Sequence, residues 1–563
     1  MSDTGTGTEA GPRPGGAAPP SRPGPRPGVD AGPETGDGGA PLLGSFLARA
    51  AAATAVLTVL GAILGLVRDQ TIARYFGASG ASDAFLIAWT VPEMAATLLI
   101  EDGMALLLVP AFSLALTRRA AAGQGAAPGP DPVRDLVAAT LPRLTALLAG
   151  CAALLVAGAP WVVGVLAPGL ADPRLAVDCT RLTAVTVLTF GITGYFSAVL
   201  RAHRSFLPPA GVYVAYNVGI IGMTLALHAA WGVRAAAAGV AVGSALMVVT
   251  QLPTFWRLVP PARPRPRGPK RRAARTAPLL GVALLAPVVL FVVSRQSQVL
   301  VERFLASTLP AGAISHLNYA QKVAQLPMVL SLMVCTVTFP VVARAMAAGD
   351  REGARRRVER DLALAGTVVL LGTAVVLGYA PKIIEVLFQR GAFDADDTRA
   401  TAQVMRVYAA GLLGHCLVGA LSRPFFSSGR PTWFPAFAMG TGLVVTLGMG
   451  YALTHRLGVD GIATANALGI STAALLLLMG LGTRVVPIRA RAVAVSLGRL
   501  TGAALAAGAA GWAAAPVLDD PVLSLAAGCL LVPAVFVLTG LALRSPEVTS
   551  LLALIRRRFP DGR

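Results

Sequence analysis

Pro521 to Leu543 reads PVLSLAAGCLLVPAVFVLTGLAL, twenty-three residues without a charge, set between Asp519-Asp520 and Arg544. At about 1.5 Å per residue, a helix of that length crosses the roughly 30 Å hydrocarbon core of a bilayer. Peptide groups in lipid must find their hydrogen bonds inside the segment, which a helix achieves and an open strand does not. The stretch therefore predicts a transmembrane helix, and the rest of the chain repeats its text. Apolar segments recur at 44–75, 82–116, 134–166, 176–201, 208–230, 234–256, 277–303, 313–345, 357–388, 398–426, 431–454, 459–483 and 491–516, each broken by Gly, Pro or charge. The expected fold is an all-α polytopic membrane protein of about fourteen transmembrane helices. The alternation of outer-membrane barrel strands is absent.

Composition agrees. The 563 residues are 55% hydrophobic and 13% charged, with mean hydropathy +0.67, against about 25% charged in a soluble chain. The net charge of +20 does not point to nucleic acid, because the arginines sit in short loops between apolar runs. No nucleic-acid partner is expected. The five cysteines, Cys151, Cys179, Cys335, Cys416 and Cys529, lie in or beside apolar runs without metal or redox spacing, so neither a disulfide nor a metal site is expected. Walker A, HExxH and GxSxG sequences are missing, so the residues suggest a transporter with no cofactor, not an enzyme.

Loop charge orders the segments. Arg118, Arg119 and Arg134 follow segment 2; Arg201 and Arg204 follow segment 4; eight cations between Arg257 and Arg275 follow segment 6; Arg344 to Arg360 follow segment 8; Arg484, Arg489 and Arg491 follow segment 12. The odd-numbered loops are sparser or mixed, as at Asp172/Arg174 and Asp394/Asp396/Asp397/Arg399. Positive charge stays in the cytoplasm, so a multi-pass plasma-membrane protein with both termini cytoplasmic is expected. Residues 1–43 read as a Pro/Gly-rich disordered tail, with eleven Gly and eight Pro in the first forty positions, too few large apolar groups to offset ordering entropy. Residues 44–256 form an expected N-terminal lobe of six helices and 257–276 a basic linker. Residues 277–483 form a second six-helix lobe, 484–543 two appended helices and 544–563 a basic tail. Both lobes start on the same side, which relates them by an axis along the membrane normal.

Ionisable residues within spans are costly and usually face a cavity or a partner. Arg68-Asp69 closes segment 1; Arg68 is an anchor at the helix end or a phosphate ligand held by Asp69. Segment 2 opens at Asp83 and carries Glu93, Glu101 and Asp102, with a kink expected at Pro92. In segment 8, Ser315, Asn318 and Lys322 share a helix face, and Lys322 is one of only three lysines. Glu302 and Arg303 in segment 7 pair with each other or serve the cavity. Arginine and lysine pockets with a few carboxylates, and no nucleophile constellation, suit binding and moving an anion better than making bonds.

These residues sit in stretches that resemble the MurJ/MviN family of lipid II flippases, within the multidrug/oligosaccharidyl-lipid/polysaccharide exporter superfamily. Leu64-Gly65-Leu66-Val67-Arg68-Asp69, Ala73-Arg74-Tyr75-Phe76-Gly77-Ala78 and Ser82-Asp83-Ala84-Phe85 are similar to the family's LGxVRD…AxxFGA…(S/T)DAF opening. Tyr319-Ala320-Gln321-Lys322-Val323 and Leu387-Phe388-Gln389-Arg390-Gly391-Ala392-Phe393 resemble two more of its motifs. The resemblance runs from about residue 50 to 485. It implies a flippase that moves an undecaprenyl-pyrophosphate-linked peptidoglycan precursor to the outer leaflet by alternating access, among membrane lipid and alongside other cell-wall synthesis proteins. It also implies substrate-binding roles for Arg68, Asp69, Lys322 and Glu101, to which the readings above add Asp83, Asn318 and Ser315.

The chain departs from the family in places. Gly61-Ala62 stands where the family has Ser-Arg, Glu93 and its neighbours replace an arginine-bearing LPNxxRR, and Lys322 replaces an Arg. Fewer arginines mean fewer bidentate phosphate contacts. Two other readings follow: an exporter of another polyprenyl-linked polysaccharide or of an organic cation, and a non-transporting scaffold for cell-wall synthesis.

Overall fold

The computed structural model describes residues 40–122, 131–259, 279–332, 344, 348–427, 432–484 and 488–549, with backbone alone at 40–51, 101–103, 105–107, 122, 279–285, 427 and 483–484. The chain divides into a unit Met1–Ala51, described only from Ala40, and a unit Ala52–Arg563, to which all that follows belongs. Most of the expected tail, of the central linker and of the C-terminal tail lies outside the described residues.

The described residues are helical and contain no strand. The elements are α1 (Ala40–Phe76), α2 (Gly80–Ala96), a π-helical segment (Thr97–Asp102), α3 (Gly103–Ala122), α4 (Pro132–Leu166), α5 (Pro173–Thr183), α6 (Thr186–Ala202), α7 (Leu207–Trp231) and α8 (Arg234–Leu258). They continue with α9 (Leu279–Ala306), α10 (Ala313–Ala324), α11 (Arg351–Phe388), α12 (Ala395–Ala409), α13 (Leu412–Ser427), α14 (Phe434–Leu457), α15 (Val459–Arg484), α16 (Ala490–Ala514) and α17 (Pro521–Ala542). Among the described residues eleven helices are long and apolar enough to cross a membrane, and α12 with α13, bent by 46°, makes a twelfth. The two remaining apolar segments hold α9 and α10 and adjoin undescribed residues, so the count agrees with about fourteen spans.

Acidic residues of the loops turn out to start helices. Asp131, Asp172 and Asp520 each precede a proline at the first helical position and accept a backbone N–H of the first turn. The proline needs no partner there, and the carboxylate satisfies an orphan donor. Asp394 caps α12 in the same way, through the N–H groups of Asp396 and Asp397.

The kink expected at Pro92 takes the form of the π-helical segment five residues further on. Proline removes one hydrogen bond of the ladder, and a wider turn is one way to absorb the mismatch. That turn is backed by α6: a Cβ on Gly194 would lie 2.0 Å from the Leu99 carbonyl oxygen. Elsewhere, close approach also rests on small residues, because lipid tails are as apolar as Leu and packing has to hold helices together. Gly219 of α7 faces Gly243 of α8, Gly442 of α14 faces Gly469 of α15, and Gly378 of α11 meets Gly508 and Gly511 of α16. Large apolar side chains such as Leu154, Trp161 and Leu530 are left exposed, as a lipid-facing surface requires.

α2 is enclosed over its first half. Ser82 to Thr90 are all buried. One end of it is tied to the second half of the chain. Gly77, Gly312 and Gly391 all have positive φ, and a Cβ on any of them would strike a backbone oxygen at 2.4–2.6 Å. Across these turns Ala392 N–H donates to the Arg74 carbonyl at 2.8 Å and Ala78 N–H to Asp397 Oδ2 at 3.1 Å. The Phe-Gly-Ala and Phe-Gln-Arg-Gly motifs, more than 300 residues apart, thus form one junction.

Candidate functional site

Asp69 organises the site. Its Oδ1 accepts from Nε and Nη2 of Arg68 at 3.0 and 2.9 Å, and Lys322 Nζ lies 3.5 Å from its Oδ2. Nη1 of Arg68 donates to Asn217 of α7 at 3.0 Å, and Asn217 in turn donates to the Gly61 carbonyl. Both cations also pack on the Trp89 ring, each 4.3 Å from its centroid. Trp89 is fixed by its Nε1–H, which donates to Tyr216 at 3.0 Å. One carboxylate and one indole therefore hold an arginine from α1 and a lysine from α10 together. Two cations against one buried carboxylate leave a surplus of positive charge, and indole faces attract cations for their negative quadrupole.

Asp83 and Ser315 are placed together, away from that surplus. Asp83 accepts the N–H groups of Gly312 and Ser315 at 2.7 and 2.8 Å and the Ser315 hydroxyl at 2.6 Å. Ser315 Oγ also lies 2.9 Å from Ser82 Oγ. A carboxylate of α2 thus caps α10, where the orphan N–H groups and the helix dipole favour negative charge. Glu101 falls in the π-helical segment, and its side chain lies outside the described residues. Glu302 and Arg303 do not meet. Successive residues on a helix point about 100° apart, so Glu302 accepts from Tyr408 at 2.9 Å and from Asn466, while Arg303 donates to the Ile314 carbonyl and to Asn318, both at 3.0 Å.

A cavity of about 220 Å³ opens beside Lys322, walled by α2, α9, α10 and His415 of α13. Its charged lining is Arg295, Arg303, Lys322 and Glu93, a surplus of two positive charges, and its amide lining includes Gln296, Gln298, Asn318, Gln321 and Gln325. Gln298 Nε2, Arg303 Nε, Asn318 Nδ2 and Lys322 Nζ are buried without a hydrogen-bond partner. Lys322 keeps its ion pair to Asp69, and buried donors are normally satisfied, so the three amide and guanidinium donors left over on α9 and α10 are the polar groups of this region with bonding capacity to spare. Of the sequence candidates, Asn318 and Lys322 line this cavity, while Asp69 holds both Lys322 and Arg68 from behind. Among the described residues no group of His, Cys, Asp and Glu is arranged to hold a metal ion.

The family model for the lipid II flippase MurJ matches residues 72–523. The chain belongs to the MurJ family. Among its relatives, the lipid II flippase MurJ of Burkholderia cenocepacia is 28% identical over 453 residues, covering 78% of this chain and 84% of that protein. A probable lipid II flippase MurJ of Synechocystis sp. is 26% identical over 492 residues, covering 83% and 87%. Among solved structures, a lipid II flippase MurJ in an inward closed conformation superposes with a TM-score of 0.69 at 19% identity, covering 89% of this chain and 99% of that one. An inward-facing MATE family multidrug transporter of the MOP superfamily follows at 0.59 and 15% identity, covering 79% and 99%. At those identities the likeness is one of fold, and it places MurJ and MATE architectures side by side.

Several residues of this MurJ-family site escape a reading of motifs. Asn217 and Tyr216 sit in α7, whose text is largely apolar. A buried amide in a span is the same signal that marked Lys322, and it identifies Asn217 in retrospect. Trp89 carries no such mark, since an aromatic in an apolar helix looks like packing. The cavity glutamines are visible as polar letters on α9 and α10, but only the approach of the two helices puts them on one wall.

Proposed function

We propose that the chain is a flippase that carries lipid-linked peptidoglycan precursor, lipid II, from the inner to the outer leaflet of the plasma membrane. As a member of a flippase family it is a transporter, not an enzyme. The observation that carries the reading is the cavity with its surplus of positive charge and its lining of amide and cationic donors. Phosphate oxygens accept from such donors and balance such charge. In this reading Lys322 and Arg303 take the pyrophosphate, Asn318 and the glutamines take neighbouring acceptors, and Asp69 holds Lys322 and Arg68 in place. Asp83 and Ser315 act at one remove by capping α10, which bears Asn318 and Lys322. The residues 44–256 and 277–483 act as the two rocking lobes, 484–543 as appended helices, with both termini cytoplasmic. An organic cation fits this lining poorly, because Glu93 is outnumbered by Arg295, Arg303 and Lys322.

The test is flipping of fluorescent lipid II by the full chain in proteoliposomes. Lys322→Ala is expected to lower the rate by about tenfold, the value of a charge-assisted hydrogen bond, while Lys322→Arg keeps most of it. An undiminished rate for Lys322→Ala would remove the phosphate role.

A further inference from the structure

An open pocket of about 530 Å³ lies at the start of α16, far along the chain from the transport cavity, and no carboxylate lines it. Arg489, Arg491 and Arg499 do, with Val495 and Pro546. Arg491, Val495 and Arg499 follow at intervals of four, so they share a helix face. Arg491 has no ion pair or hydrogen bond among the described residues, and Arg499 donates only to the Arg544 carbonyl, at 3.1 Å. Two acids stand at its rim and the three arginines outnumber them: Glu359 accepts the Arg489 N–H at 2.8 Å, and Glu547 accepts from the hydroxyls of Ser496, which also lines the pocket, and of Ser545. On the same side of α16, Val495 and Leu505 are exposed, an apolar strip that continues from the arginines toward the helix middle.

We propose that this pocket binds an anionic phospholipid of the surrounding membrane, its phosphate between Arg491 and Arg499 and an acyl chain along Val495 and Leu505. Charge complementarity selects that occupant: the pocket offers three guanidinium groups at the end of a span, next to an apolar surface that only a lipid can cover. The site is separate from the transport cavity and does not depend on what is transported.

The experiment places the full chain in phosphatidylcholine nanodiscs with a trace of spin-labelled phosphatidylglycerol or spin-labelled phosphatidylcholine and compares the motionally restricted fractions. The wild type is expected to favour phosphatidylglycerol. Arg491→Ala with Arg499→Ala is expected to lower that preference by about fivefold per arginine, while Arg118→Ala with Arg119→Ala, at another arginine-rich helix end, leaves it in place. Should the alanine pair fail to reconstitute, Arg491→Gln with Arg499→Gln decides in the same way. An unchanged preference in the 491/499 variant overturns the site. So does loss of the preference in wild type on adding millimolar glycerol phosphate, which would show that the arginines read free phosphate and not a lipid.

Discussion

Asp69 is the residue on which the site's electrostatics turn, because its carboxylate pairs with both Arg68 and Lys322. Removing one partner of a buried charged group leaves the others uncompensated, at a cost of about 3–5 kcal/mol. Asp69→Asn is therefore expected to lower the unfolding midpoint in detergent markedly. The informative comparison is the double variant Asp69→Asn with Lys322→Met, in which one of the two stranded cations is gone. Recovery of part of the lost stability, read as a double-mutant cycle, identifies charge imbalance as the cause. Additive losses would show that Asp69 acts through something other than these two cations. Arg68 alone illustrates what a motif can and cannot say. The Val-Arg-Asp letters mark a buried pair, but its attachment to Asn217 and Trp89 depends on α2 and α7 crossing at that level.

Among the elements, the junction of α2, the π-helical segment and α6 deserves a separate test. Gly194 lies against the Leu99 carbonyl so closely that any side chain must push it. Overpacking of this kind costs about 1–3 kcal/mol. Gly194→Ala is expected to lower thermal stability and to slow lipid II flipping, since the displaced turn follows directly on Thr97, which lines the cavity. Gly222→Ala is the control, because nothing lies within 4 Å of its added methyl; equal effects of the two substitutions would remove the packing argument. The apolar segments were legible in advance from their length, while the Asp-Pro starts of three helices came to light only in the structure. The π-helical segment was not legible, because Pro92 announces a disturbance without saying which relaxed geometry the neighbouring helix will accept.

For the whole molecule, transport by alternating access requires the junction around Gly77, Gly312 and Gly391 to part. Gly80 and Ala311 offer a lock, since a Cβ on Gly80 would lie 3.6 Å from that of Ala311, within the range for a disulfide. Gly80→Cys with Ala311→Cys is expected to abolish flipping when oxidised and to recover it on reduction, with both single variants active throughout. Full activity of the oxidised double variant, with the bond verified by mass spectrometry, would show that this end stays shut during the cycle.

The letters alone determined that this chain lives in a membrane as a bundle of helices, because apolar length and loop charge are local properties that lipid and water read directly. They also marked Arg68, Asp69 and Lys322, since a charge in an apolar run is conspicuous wherever it folds. Only the tertiary structure decided that one carboxylate and one indole hold two cations, that Asp83 caps a helix end, and that Gln298, Arg303 and Asn318 share a wall with Lys322. Such groupings depend on how helices cross, and crossing is set by close packing of small residues on many faces at once, which no single stretch of sequence encodes.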